Sequence, residues 1–592
     1  MSSTTATRLS IIVSIFAAAT TVVLGWTSVR GLDTLWDEQV DHDIAIGLLE
    51  HPLTGESPTL DASQTRLPMY VNAIAYALTG RDDLAVSRGV SLVFAAITVI
   101  VAASLGRLLF GPWVGALAAV LLALSPYFLS FARIAMTEGD IFFACFVTLA
   151  VRGFVRYLQR PTASRWVWAA VLLGLAMGAK VFAGFLVLVF GVLAMTTGPS
   201  RSVEFLSRRY EVQRLQRLLG AGVMVILVTG GLAMLSNTPW AAVAGWIVLL
   251  ALWCVTIAFV LRKRALAPGR GARFVGMVVL AVVTFFAVMP VHLIEHDIAR
   301  TILRRAFQWD DAAPLAVWSD HIRLYAGIIL IKLSVPFGIL TAGALVFAAI
   351  RGRDDPRWRP CILAIAVCVV CLCLLPLRQS FYLMGVYPLI MILVAAFMVH
   401  IGHWLRGFSR EARTAWTVAV VCLLAYLGRE AYVVHPHYSL YGYGLIGDRW
   451  LGAESRGYRN LIQTPSDGVE SLIRWCNAHP DVVRPGARVV SYLWEEAIIG
   501  QVLPEEPWYV FVPRGISQAS DAVPPPPAID EADFVLLHIN NRLGYGDRPP
   551  DWPLGTVLQD GFEVVHTVWR GPLEVAWIYG RRGEGDAIIP VK

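Results

Sequence analysis

Long apolar runs dominate the first 433 positions of the chain, and short polar segments separate them. A helix of roughly 20 apolar residues crosses a bilayer, so we predict about thirteen membrane-spanning helices and a polytopic α-helical domain over 1–433. We place the spans at 8–27, 88–107, 112–130, 138–157, 164–179, 181–198, 218–236, 240–261, 274–293, 324–350, 360–376, 381–400 and 414–433.

The pattern changes after residue 434, where apolar runs shorten and Pro, Trp, Asp and Glu become more frequent. Residues 466–480 have helical periodicity, with Ser466 or Asp467 as the predicted N-cap. The segments ARVVSYLW, ADFVLLHI, FEVVHTVW and LEVAWIYG are typical of strands. We therefore predict a small α/β domain over 434–592, with no glycine-rich phosphate loop and no nucleophile elbow.

Two connecting segments, 28–87 and 294–323, are long for loops between spans, and long loops are often functional. The first contains TRLPMYVNAIAYALTG at 65–80, which is too short and too polar at its ends for a span. We predict an amphipathic helix lying in the membrane interface there. Both loops are then expected to border a pocket at the boundary between membrane and water.

Composition and charge support this reading and set an orientation. The chain is 56% hydrophobic and 16% charged, with a formal net charge of +6. Arginines concentrate in one alternating set of loops, which includes 201–217, 262–273, 351–360 and 403–413. Such loops face the cytoplasm, so we predict a multi-pass protein of the cytoplasmic (inner) membrane with its N-terminus inside and the C-terminal domain outside. The basic loops account for the positive charge, and we expect no nucleic-acid partner.

The densest polar stretch, LWDEQVDHD at 35–43, follows the first span on the predicted outer side. Asp37 and Asp41 share one face of a helix, and Glu38 and His42 share the next. These four residues could hold a divalent cation such as Mg²⁺ or Mn²⁺, although a solvated acidic surface has the same composition. We expect Asp41, His42 and Asp43 to form the polar flank of the following helix.

Cations also lie at the outer ends of predicted spans. Charges at that depth usually face a cavity or a partner, although long side chains can also reach the headgroups. These cations are Arg88, Arg133, Lys180, Arg323, Lys332 and Arg378. Carboxylates and cations at a lipid surface suit sugar transfer from a polyprenyl phosphate: one carboxylate takes the acceptor's proton, and cations hold the leaving phosphate.

Several stretches, in order, resemble the membrane glycosyltransferases of the GT-C fold, specifically the bacterial relatives of protein O-mannosyltransferases and of the lipid A aminoarabinose transferase. The similar stretches cover about the first 470 residues. They are LWDEQVDHDIAIGLLE (35–50), TRLPMYVNAIAYALTG (65–80), SRGVSLVF (87–94), LSPYFLSFARIAMTEGDIFFACF (124–146), GLAMGAKVFAGF (174–185), LRQSFYLMGVYPLI (377–390) and HPHYSLYGYGLIGDRWLGA (435–453). Two departures stand out: Leu67 replaces the family's His before Pro68, and Phe381-Tyr382 replaces its Arg-Tyr pair.

The resemblance implies an inverting sugar transfer on the outer face from a polyprenyl-phosphate donor to an acceptor on a protein, lipid or glycan. By position Asp37 is the catalytic base with Glu38 beside it, and Glu138 is the second acidic residue. The expected contacts to the donor's phosphate or sugar are Arg88, Arg133, Lys180, Lys332, Arg378 and Tyr382. The mannosyltransferases imply no obligatory cofactor, whereas the oligosaccharyltransferases of the wider fold use a metal.

Two other classes of function stay open at this point. A transporter also carries charges inside the membrane, but it often shows internal repeats, and this chain has no duplicated halves. A non-catalytic protein of cell-envelope assembly is the second alternative. Uptake into vesicles distinguishes the first from an enzyme, and loss of a surface glycan without transferase activity distinguishes the second.

Overall fold

We analysed a computed structural model of the chain. The structure describes a set of segments separated by gaps. They are 3–29, 36–50, 67–135, 140–196, 270–288, 325, 335–374, 380–405, 407–433, 435, 468–483, 487, 489–491, 532–538, 561–570 and 573–581. The chain divides into two compact units, which are Met1–Thr27 with Asp41–Val433, and Ser28–Val40 with Val434–Lys592.

Helices form nearly all of the described part before residue 434. They are α1 (Ser3–Val29), α2 (Trp36–Glu50), α3 (Leu67–Thr79), α4 (Leu84–Phe110), α5 (Pro112–Ala123), α6 (Pro126–Ala132), α7 (Asp140–Gln159), α8 (Ala163–Ala179), α9 (Phe185–Thr196), α10 (Arg270–Val288), α11 (Val335–Asp354), α12 (Arg359–Leu374), α13 (Tyr387–Leu405) and α14 (Arg410–Val433). Two 3-10 segments, Val181–Gly184 and Ser380–Val386, precede α9 and α13.

Within the described residues, five helices are long and apolar enough to cross a membrane, or up to six if a bent pair is one span. The bent pair is α5 and α6, which meet at 67°. The span predicted at 112–130 corresponds to this pair, and the helix breaks where Ser125 caps α6 and Pro126 occupies its first turn. The spans predicted at 218–236 and 240–261 lie outside the described residues, so the total stays a prediction.

Burial ranks the spans from centre to edge. In the span that contains α13, 83% of the apolar stretch is buried, against 33% in α1 and 17% in α14. Glycines permit close crossings among the inner helices. A Cβ at Gly115 of α5 would lie 2.4 Å from the Ala103 carbonyl of α4, and one at Gly174 of α8 would lie 2.4 Å from the Ala281 carbonyl of α10. These contacts hold the helices that carry the candidate site.

The second unit contains a short helix and a sheet. The helix α15 (Val469–Ala478) begins after Gly468, which adopts φ 96°, so the predicted caps Ser466 and Asp467 are wrong. The strands are β1 (Val489–Ser491), β2 (Phe534–His538), β3 (Phe562–Arg570) and β4 (Leu573–Arg581).

The four strands form one sheet in the order β1-β2-β4-β3. The β1–β2 pair is parallel and the other two pairs are antiparallel. Val469, Leu472 and Ile473 of α15 belong to one buried core with inward residues of the sheet such as Leu536 and Ile578. Each of the four segments predicted from the sequence forms a strand, and β3 and β4 each extend one residue beyond the predicted segment.

Candidate functional site

The acidic stretch forms the first turns of α2, and its buried face changes from polar to apolar along the helix. Glu38 and Asp41 are buried, and Ile44, Ala45 and Leu48 continue the same stripe at helical spacing. Asp41, which we expected on the polar flank of the helix, is only 1% exposed and lies on its buried side. Asp37 is the second residue of α2. The helix therefore begins with buried carboxylates, which is costly unless their surroundings compensate the charge.

The short helix α3 follows, and its two sides differ. Asn72 and Tyr76 are buried one turn apart on the side that packs inward. On the open side Ile74 is 58% exposed and Leu78 is 83% exposed. Its thirteen residues are too few to cross a bilayer, and its exposed apolar side suits a helix that lies in the membrane interface.

A chain of hydrogen bonds joins α2, α3 and α4. His42 Nδ1 and the Tyr76 hydroxyl lie 2.8 Å apart. The Tyr76 hydroxyl is also hydrogen-bonded to the Ser87 hydroxyl in the first turn of α4. The His42 and Tyr76 rings meet edge to face at 77°, with centroids 5.4 Å apart. Three consecutive helices are thus tied together by one buried tyrosine hydroxyl.

Burial favours the uncharged forms of Tyr76 and His42 in this chain of hydrogen bonds. It raises the pKa of Tyr76 to about 12, an effect larger than that of the Ser87 hydrogen bond, which lowers it. It also lowers the pKa of His42, although Asp43, Asp82 and Asp83 oppose this. A neutral imidazole has one donor and one acceptor nitrogen, so it can relay a hydrogen bond between Tyr76 and a second group.

Other polar groups lie near these hydrogen bonds on α3 and α4. Arg88 follows Ser87 on α4 and is only 6% exposed. In the described part of the chain, Asn72 Oδ1 and Ser91 Oγ are buried without a hydrogen-bond partner. Buried polar atoms normally have partners, and exceptions often mark sites that bind an absent group. The arrangement fits a site that receives a polar ligand between α3 and α4.

A second cluster carries the cation expected from the sequence at position 180. Lys180 ends α8 in an extended conformation, and its Nζ lies 4.2 Å from the centroid of the Tyr382 ring. Phe182 packs against the same ring at 6.1 Å. A cation over an aromatic face is attracted to the ring, so this contact fixes the position of the Lys180 ammonium. The structure thus brings together two of the predicted site residues.

The bend between α5 and α6 places a third cation. Arg133 ends α6 and is 0% exposed. The bend itself is fastened to α13, because the hydroxyls of Ser125 and Tyr387 lie 2.6 Å apart. The Tyr127 and Tyr387 rings meet edge to face at 5.0 Å. A fully buried guanidinium inside a membrane domain is costly, which makes it a candidate functional group.

The end of α8 connects the two clusters. A Cβ at Gly178, two residues before Lys180, would lie 3.3 Å from Leu67 at the start of α3 and 3.4 Å from Val288 at the end of α10. A larger residue at this glycine would push α3 away from α8. The start of α3 and the Lys180 turn therefore adjoin each other in the fold.

Some predicted site residues cannot be placed. Glu138, Lys332 and Arg378 lie outside the described residues. Among the residues that are described, no group of three or more His, Cys, Asp and Glu side chains is arranged to hold a metal ion. Metal dependence stays a prediction. Sequence reasoning missed Tyr76, Ser87 and Asn72, although the one-turn spacing of Asn72 and Tyr76 on an apolar helix was a visible signal.

Comparison with known proteins bears on this region directly. Residues 63–210 match the family model described as dolichyl-phosphate-mannose-protein mannosyltransferase. The match includes α3, α4, Arg133 and Lys180, and it confirms the resemblance drawn from the sequence motifs. No curated protein matches the chain.

Solved structures of membrane glycosyltransferases are also similar. ArnT from Cupriavidus metallidurans bound to undecaprenyl phosphate has 14% identity and a TM-score of 0.44, over 95% of this chain and 97% of that one. The Archaeoglobus fulgidus oligosaccharyltransferase in the apo form has 13% identity and a TM-score of 0.45, over 83% of this chain. The match spans 64% of the length of that archaeal enzyme.

Proposed function

We propose that this chain transfers a sugar from a polyprenyl-phosphate donor to an acceptor hydroxyl on the outer face of the cytoplasmic membrane. The chain is a polytopic α-helical membrane protein of the GT-C fold, and one segment of it matches a protein mannosyltransferase family model. The family match to residues 63–210 supports the donor class, because the family is named for a sugar linked to dolichyl phosphate. The observation that carries the proposal is the buried hydrogen-bond network of His42, Tyr76 and Ser87, which joins α2, α3 and α4.

The reaction is a single displacement. The acceptor oxygen attacks the anomeric carbon from the face opposite the phosphate, the bond from that carbon to the phosphate oxygen breaks, and the configuration inverts. A polyprenyl phosphate leaves as an anion and needs no proton. One general base is therefore enough, and we assign it to Asp37 at the start of α2, with Glu38 next to it.

The remaining groups stabilise charge and position. Lys180, held over Tyr382, and the buried Arg133 are assigned to the phosphate, where negative charge grows as the bond breaks. Arg88 follows the Ser87 end of the hydrogen-bond chain and is assigned to the donor as well. The exposed apolar side of α3 gives the prenyl tail a surface along which to approach.

The experiment is a transfer assay with the full chain in membrane vesicles. Synthetic polyprenyl-phosphate sugars of several types, each labelled in the sugar, are supplied together with a total envelope extract as acceptor. The proposal predicts label in the acceptor fraction, release of polyprenyl phosphate, and a product of inverted anomeric configuration. Uptake of labelled compounds into the vesicles with no product would support a transporter instead. EDTA treatment with Mg²⁺ or Mn²⁺ add-back tests the open question of a metal.

A further inference from the structure

A group of three arginines lies near the C-terminal ends of α4 and α7, whereas Arg88 lies near the N-terminal end of α4. They are Arg107, one turn before the end of α4, and Arg152 and Arg156 in the last two turns of α7. Arg107 and Arg152 are half-buried and Arg156 is exposed. The three charges lie close enough for Arg107 and Arg156 to act electrostatically on Arg152. Three like charges in one place repel each other unless something compensates them.

The protein itself offers these arginines little compensation. Arg152 Nε donates to the Ser104 hydroxyl at 2.8 Å. No carboxylate in the described ranges pairs with Arg107, Arg152 or Arg156. Arg107 Nη1 is buried and has no hydrogen-bond partner in the described structure. A buried guanidinium nitrogen without an acceptor costs free energy, so an external acceptor is expected there.

Neighbouring arginines on the same side of the membrane domain differ from these three. Arg357 forms an ion pair with Asp355 at 2.7 Å. Arg359 donates to the carbonyls of Gly352 and Arg353 at the end of α11. Arg165 donates to the carbonyls of Arg156 and Arg160. These three arginines are satisfied within the protein, which distinguishes them from Arg107, Arg152 and Arg156.

We propose that Arg107, Arg152 and Arg156 form a binding site for a phosphate oxyanion at the membrane boundary opposite the sugar-transfer site. A guanidinium presents a planar fork of donors that matches the oxygens of a phosphate. Arg152 lies seven residues before the end of α7, which is about 10 Å along the helix, so the site reaches into the headgroup layer. The phosphate therefore comes from an anionic phospholipid headgroup or from a free phosphate in solution.

The site is independent of the proposed sugar transfer. Arg88 lies near the start of α4, whereas Arg107 lies near its end. Lys180 follows the end of α8, whereas Arg152 and Arg156 lie near the end of α7, which leads into the start of α8. The site also has a structural consequence. A Cβ at Gly115 of α5 would lie 3.1 Å from Arg107 Cβ, so α5 packs closely against the helix turn that holds Arg107. A bound phosphate would join α4 and α7 next to this crossing and stabilise the domain.

The test measures thermal unfolding of the purified full-length chain in a neutral detergent, titrated with phosphatidylglycerol, with phosphatidylcholine, or with inorganic phosphate against chloride. The site variant is Arg107→Gln with Arg152→Gln. The matched control is Arg160→Gln with Arg410→Gln, which removes the same charge from exposed positions. Each arginine near an anionic surface contributes about 1 kcal/mol, so the site variant, which lacks two of them, should need about thirtyfold more phosphatidylglycerol for half its stabilisation. The control should stay within about twofold of wild type.

Each outcome decides the proposal. Stabilisation by phosphatidylglycerol alone, lost in the site variant only, supports a lipid headgroup. Stabilisation by inorganic phosphate with the same variant dependence supports the site and assigns it to a free phosphate. Equal losses in both double variants, or no selective effect of either anion on wild type, overturn it. Should the site variant fail to fold, Arg107→Lys replaces it. This keeps the charge but removes the fork, and should weaken the response about threefold.

Discussion

Replacing Tyr76 by Phe removes one hydroxyl from the centre of the candidate site and changes nothing else in shape. That hydroxyl bonds to His42 Nδ1 at 2.8 Å and to the Ser87 hydroxyl, and the Tyr76 side chain is 2% exposed. Each net hydrogen bond contributes about 0.5–1.5 kcal/mol, so losing both weakens the attachment of α2 to α3 and α4 by about 1–3 kcal/mol. The first turn of α2 carries the proposed base, Asp37.

The expected result follows from where that energy acts. If α2 is held less firmly, the base spends less time in the productive geometry, and a factor of ten in rate corresponds to about 1.4 kcal/mol. We therefore expect kcat of Tyr76→Phe to fall about tenfold or more, while the KM for the polyprenyl-phosphate donor changes less than about threefold. Initial rates of labelled sugar transfer, measured over a range of donor concentrations, give both quantities.

A matched variant separates loss of positioning from loss of stability. Tyr387 is also a buried tyrosine, and its hydroxyl bonds to the Ser125 hydroxyl at 2.6 Å. Tyr387→Phe removes one hydrogen bond instead of two, so it should lower thermal stability about half as much as Tyr76→Phe does, but it leaves α2 in place and should retain most of the activity. If both variants lose stability and keep the same activity, the hydrogen-bond chain does not position the base, and the reasoning fails.

Three further predictions follow from the same contacts. Lys180→Met should raise the donor KM at least tenfold, whereas Tyr382→Phe keeps the ring under the Lys180 ammonium and should change KM less than about twofold in the same transfer assay. Burial lowers the pKa of His42 below its ordinary 6.5, so the stability gained from the neutral ring is present above pH 6.5 and is lost as the pH falls through the lowered pKa. Thermal midpoints of wild type, measured between about pH 5 and 8, should therefore fall towards acid pH, whereas the midpoints of His42→Gln should change less with pH. Parallel curves for the two proteins would refute the assignment. A Cβ at Gly385 would lie 2.1 Å from the Phe143 ring, so Gly385→Ala should displace the 3-10 segment that carries Tyr382 and lower both activity and thermal stability, while Gly428→Ala, whose Cβ meets nothing within 4 Å, should be neutral.

The hydrophobic pattern predicts the elements of this chain better than their ends. The apolar stretch at 65–80 is a helix from Leu67, and each of the four predicted strand segments forms a strand. The break at Ser125 was missed because both halves of 112–130 are equally apolar, although Pro126 marks a helix start. The Gly468 cap was missed because Ser and Asp are the commoner N-cap residues.

The candidate site shows a sharper limit. The cation at Lys180 was predictable from its cost in a membrane, but its partner Tyr382 lies some two hundred residues away in sequence order. The acidic stretch was visible as a cluster, whereas the burial of Asp41 depends on which side of α2 faces inward. The hydrogen-bonded residues His42 and Tyr76 are 34 positions apart in the sequence, and the packing of α2 on α3 brings them together.

The central claim is sugar transfer from a polyprenyl phosphate with Asp37 as the base, and one comparison on a single helix tests it most directly. Asp37→Asn removes the proposed base, whereas Glu50→Gln removes an exposed carboxylate from the last position of α2. In vesicles with matched protein amounts and a donor that wild type uses, a lost general base costs about 10²–10⁴-fold in rate. The account predicts a loss of that size in Asp37→Asn and wild-type rates in Glu50→Gln. Equal rates in all three proteins would contradict it.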